Sequence, residues 1–124
     1  MKTNAIAIRR LADLSGEKII SVRWDDPQLV VKGRDWSIAA VAPWRVLKDR
    51  ALILGSDEAV QEDLEKILVG NAIKTCTFQS AHADVDPALA FESGHLLEIF
   101  SSSALEPWLF CDANGSFLVA DPTV

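Results

Sequence analysis

Two periods govern where apolar residues fall along this chain. At about 4–14, Ala5, Ile8, Leu11 and Ala12 share a stripe, with Asn4 placed to cap a short helix and Gly16 to stop it. "KIISVRW" then changes to a period of two. Ile20, Val22 and Trp24 fall on one face and Ser21 and Arg23 on the other, which predicts a half-buried strand. "DDPQ" turns the chain, with Asp26 first and Pro27 second, as a type I turn prefers. "LVVK", a Gly33-Arg34 turn and "WSIAAVA" follow. Proline cannot donate to a ladder, so Pro43 predicts that a strand resuming at Trp44 lies on an edge. "ALIL" at 51–54 completes this part.

The clearest helix is expected at about 57–69. Val60, Leu64, Ile67 and Leu68 have the spacing of a buried stripe. Ser56 is placed to cap it, Asp57 and Glu58 suit its dipole, Glu62 and Lys66 pair, and Gly70 ends it. A second meander comes next: "AIKTCTF", "ALAFE", a Ser93-Gly94 turn, "HLLEIF", "PWLFC" and "SFLVA". Asn114-Gly115 between the last two is the strongest hairpin signal in the chain, because a type I′ turn needs positive φ at both positions.

The two parts resemble one another. "LADLSGEKIISV" parallels "LEKILVGNAIKTC", "DPQLVV" parallels "DPALAF", and each part reaches Pro-Trp late, at 43–44 and at 107–108. The pattern predicts one α+β domain over 1–124. It is mostly antiparallel β meander with one clear helix and a short N-terminal one, and 4–54 and 57–120 are candidate pseudo-repeats.

Composition narrows the function more than the fold. Of 124 residues, 49% are hydrophobic and 24% charged, ordinary for a globular domain. Arg9 and Arg10 interrupt the first apolar run, and no stretch is long enough to span a bilayer, so the reading is cytoplasmic, without membrane. Cys76 and Cys111 form no C-x-x-C pair and are read as reduced. Net charge is −6: residues 1–50 hold ten Lys/Arg against six Asp/Glu, and 51–124 hold two against twelve. An acidic total argues against nucleic acid and suits a basic protein partner.

Candidate chemistry is sparse. "HADVD" would project His82, Asp84 and Asp86 to one side of extended backbone, where they could hold a divalent ion; the plain alternative is a solvated loop. "SSS" at 101–103 lacks a nucleophile elbow, both cysteines fall in strand patterns, and "ILGSDE" is no phosphate loop. No cofactor is implied, and no residue is assigned a catalytic role. The four tryptophans read mainly as core, and Trp44-Arg45 is the favoured partner contact, since Trp and Arg dominate interface hot spots.

The succession "PWRV", "LGSDE", "PALAFESGHLLEIF", "SSS" and "EPWLF" resembles a group of small bacterial proteins of unknown function. The likeness covers about residues 16–111. It departs from the group's pattern at Ala104-Leu105 and in lacking a glycine-rich ending. Some members accompany toxin systems as immunity partners. The resemblance therefore implies a non-enzymatic interaction module, of immunity type, that blocks a basic toxin. A homodimer through an edge strand is compatible with this. The alternative is a small metal- or ligand-binding domain or enzyme with a site near His82, Asp84 and Asp86.

Overall fold

A computed structural model of the chain describes residues 3–41, 43–80, 83–101, 108–112 and 117–119. The first half supplies α1 (Thr3–Ala12), β1 (Ser21–Asp25), β2 (Gln28–Lys32), β3 (Ser37–Ala40), β4 (Trp44–Lys48) and β5 (Ala51–Gly55). The second supplies α2 (Gln61–Leu68), β6 (Ile73–Ser80), β7 (Ala83–Phe91), β8 (His95–Ile99), β9 (Trp108–Cys111) and β10 (Phe117–Val119). The strands form two five-stranded antiparallel sheets, ordered β1-β2-β3-β9-β10 and β6-β7-β8-β4-β5. This is the α+β class that the patterning predicts.

Exchanging the halves leaves this order unchanged, because each half places its first three strands in one sheet and its last two in the other. The helices are exchanged as well: α2 packs on β1, and α1 on β6, β7 and β10. Where the segments after the helices meet, Lys18 bridges Ala72. The hydrogen bonds around that bridge come in matched pairs. Gly16 N–H donates to the Ile73 carbonyl (2.7 Å) and Gly70 N–H to that of Ile19 (2.8 Å). Ile19 N–H donates to Asn71 and Ile73 N–H to Glu17, both at 2.9 Å. Gly16 and Gly70 have φ of +90° and +84°, a conformation that costs glycine least; Gly70 follows the C-cap of α2 and Gly16 closes the turn after α1, and each aims the chain at this junction.

The inner faces of both sheets and one side of each helix share a single buried cluster. It takes Leu11 from α1, Leu64 and Leu68 from α2, Val31 and Ile38 from one sheet, and Val46, Leu89 and Leu97 from the other. Trp36, Trp44 and Trp108 are all buried within it.

Several local expectations need correction. Strand β4 lies between β5 and β8, not on an edge. Pro43 sits just outside the ladder, where its carbonyl accepts Phe100 N–H at 2.8 Å, so its missing donor costs no strand bond. Helix α2 begins at Gln61 rather than near residue 57, and Val60 at its N-cap makes no side-chain cap bond. Ser56 is held elsewhere: its hydroxyl accepts Trp44 N–H at 3.2 Å and its own N–H donates to the Trp44 carbonyl at 3.0 Å. Val60 thus falls outside the helix and is exposed, while Leu64 and Leu68 are buried as the stripe requires. Ile20 is exposed and Ile19 buried, because the regular alternation starts only at Ser21, after the junction with Ala72. Asp25 pairs with Gln28, so the β1–β2 turn spans 25–28 with Asp26 second and Pro27 third rather than first and second; the Asp26-Pro27 peptide is cis. The β9–β10 hairpin forms, with Cys111 opposite Phe117, and its Asn114-Gly115 turn lies outside the described residues.

Candidate partner-binding cleft

The chain crosses between sheets twice, from β3 to β4 and from β8 to β9, and Trp44 and Trp108 open the strands after the crossings. Trp44 pairs with Ile99 and Trp108 with Ala40, so the tryptophans hold matching places in the two halves. Pro107 lies outside the described residues. Both rings are core residues, at 2% and 1% exposure. The contact expected of Trp44 therefore cannot be made by its ring, which is enclosed by the sheets and meets Trp24 edge-on, 5.2 Å between centroids at 88°. Its Nε1, like that of Trp36, has no hydrogen-bond partner among the described residues.

Beside this corner the surface forms two adjoining hollows that share Pro43, Ser56 and Asp57. The smaller, about 220 Å³, runs between Trp24, Asp26, Pro27 and Val41. The larger, about 410 Å³, is bounded by Arg45, Leu52, Glu58 and Phe100. The half-buried Trp24 is fixed as a wall, with Nε1 donating to the Ala59 carbonyl at 3.2 Å. Val41 and Leu52 are exposed at 58% and 59%.

Arg45 projects from β4 directly opposite Glu98 on β8. Its Nε donates to Glu98 Oε1 at 2.6 Å, and its guanidinium lies 4.7 Å from the centroid of the Phe100 ring. One edge and one face of the guanidinium are thereby fixed, which pre-organises the remaining N–H groups for a planar acceptor. Arg45 is half exposed while Glu98 is nearly buried, so the carboxylate anchors and the arginine presents. Asp26, Asp57 and Glu58 rim the same cleft. Sequence reasoning misses Glu98 and Phe100, because they lie 53 and 55 residues beyond Arg45 and no local pattern fixes which strands pair. It assigns Asp57 and Glu58 to the helix start instead.

The metal candidates are not brought together as described side chains. His82 lies outside the described residues, and Asp84 is described only as backbone within β7. Asp86 is described, and its Oδ1 accepts Ser101 N–H at 2.7 Å. The stretch from Ala83 onward is strand rather than loop. Among the described residues no group of three His, Cys, Asp or Glu is placed to hold a metal ion. His95 opposes Lys48 on β4, and its Nδ1 lies 2.7 Å from Ser93 Oγ. Partial burial, then the Lys48 charge, lower its pKa from the usual 6.5, against an opposing pull from Asp49. Burial pushes the Cys76 thiol up to about 12, so it stays protonated at neutral pH and is a poor nucleophile.

Among the described residues no helix is long and apolar enough to cross a membrane. Comparisons with protein-family models, with curated proteins and with solved structures give no match.

Proposed function

We propose that the protein is a non-enzymatic interaction module of immunity type, and that it binds a basic protein partner at the cleft beside Trp44. The carrying observation is Arg45, held by Glu98 and Phe100 in a hollow that Asp57 and Glu58 also line, with Asp26 in the adjoining one. A fixed arginine supplies a directional anchor for one carboxylate or carbonyl of the partner. The carboxylates, with a net charge of −6 behind them, draw in a cationic surface. Exposed Val41 and Leu52 provide apolar contact beside the charges. That the module is of immunity type is carried by the motif resemblance alone.

The test is calorimetric titration of the purified chain with the product of the neighbouring gene. Saturable binding is expected. Arg45→Ala should weaken it by roughly thirtyfold, as an anchor residue does. Asp26→Lys should slow association and flatten its salt dependence while changing dissociation little. No binding at micromolar concentrations, or full affinity in Arg45→Ala, rejects the proposal.

A further inference from the structure

We propose that two copies of the chain associate through β5, laid antiparallel across a two-fold axis. Among the described residues β5 ends its sheet, and Ala51, Leu52 and Ile53 are exposed in succession, the last two at 59% and 48%. The cause is a bulge. Val46 pairs with Leu54 but Leu47 with Leu52, so Ile53 is the extra residue, and it faces solvent alongside Leu52. "ALILG" contains neither proline nor charge, two devices that usually protect an edge. The terminal strands β1 and β6 are treated differently, since α2 packs on the first and α1 on the second.

The charges flanking β5 identify the occupant. Lys48 and Arg50 flank Asp49 at one end, leaving one net positive charge, while Asp57 and Glu58 follow at the other. A partner of one sign would match one end and be repelled by the other. A second copy running antiparallel matches both, because in an isologous contact each end meets its opposite. Leu52 and Ile53 then pack near the axis against their counterparts. The association needs no other partner, but Leu52, Asp57 and Glu58 also border the cleft, so the second copy and the cleft's partner compete for one face. Sedimentation of the chain alone tests the first without the second.

Sedimentation of the purified chain alone is the first reading: the dimer mass is expected across the micromolar range, and the monomer mass throughout overturns the proposal. Two charge-reversed variants test the geometry, one carrying Lys48→Glu with Arg50→Glu, the other Asp57→Lys with Glu58→Lys. Each alone should show self-association weakened on the order of tenfold or more, and an equimolar mixture should restore the dimer. Undiminished dimers of either variant, or a mixture that stays monomeric, overturn it. Should a reversed variant fail to fold by circular dichroism, Leu52→Lys decides in its place. A folded monomer is expected, and a retained dimer overturns the proposal.

Discussion

Gly33 and Gly55 both follow or end a strand, yet a methyl group would meet quite different surroundings at the two. A Cβ at Gly33 would overlap Nε1 and Cε2 of the Trp36 ring, whereas one at Gly55 would meet nothing within 4 Å. The Trp36 ring lies against the Gly33 backbone, whose N–H donates to the Trp36 carbonyl at 3.0 Å. That ring is buried and too large to move aside within a packed core. Gly33→Ala should therefore destabilise the protein by about 2–3 kcal/mol, within the range of overpacking. Gly55→Ala, with open space and no positive φ, should stay within about 0.5 kcal/mol of the parent. Urea unfolding of both variants checks the pair, and equal midpoints would show that Trp36 has room to yield. The sequence marks Gly33 as a turn residue but not as the floor under a tryptophan three residues on. That role exists only once the loop has folded back on itself.

At the scale of an element, β1 shows how a terminal strand is finished by a helix. The Gln61 carboxamide accepts Trp24 N–H at 2.5 Å and donates to the Val22 carbonyl at 2.6 Å, offering the strand a peptide-like partner. Gln61→Ala leaves both backbone groups without it, so a loss of about 1–3 kcal/mol is expected, with the Trp24 amide gaining exchange rate before its neighbours. Unchanged Trp24 protection in a folded Gln61→Ala variant would mean that the edge is held by packing alone. Elements of this kind divide what sequence can show from what it cannot. Strands β2, β3 and β8 and the glycine stops are legible because local periodicity and backbone freedom fix them. The start of α2 is not, because Ser56 forms its bonds with Trp44 on β4 and leaves the helix to begin uncapped. For the same reason Arg45 is legible as a candidate while Glu98 and Phe100 are not. Their meeting depends on β4 pairing with β8, a long-range choice made by both sheets together.

For the whole molecule, the exchange of helices matters more than the likeness of the halves. Helix α1 belongs to the first half but packs on β6, and α2 belongs to the second but packs on β1. Neither half buries its own first strand, so the two should unfold in one step despite their parallel construction. Leu11 on α1 and Leu64 on α2 are both 0% exposed and belong to the same cluster as Cys76 on β6. Leu11→Ala and Leu64→Ala should each cost about 2–5 kcal/mol. Cys76 reports on the mechanism, because its thiol is buried and held protonated, and it reacts only when the structure opens. If opening is global, a loss of about 2 kcal/mol should raise its alkylation rate roughly thirtyfold in either variant, although the two mutations lie in different halves. Acceleration by Leu64→Ala alone would instead show that the second half opens independently. The exchanged helices would then be packing between two separable units, not a lock that makes them one.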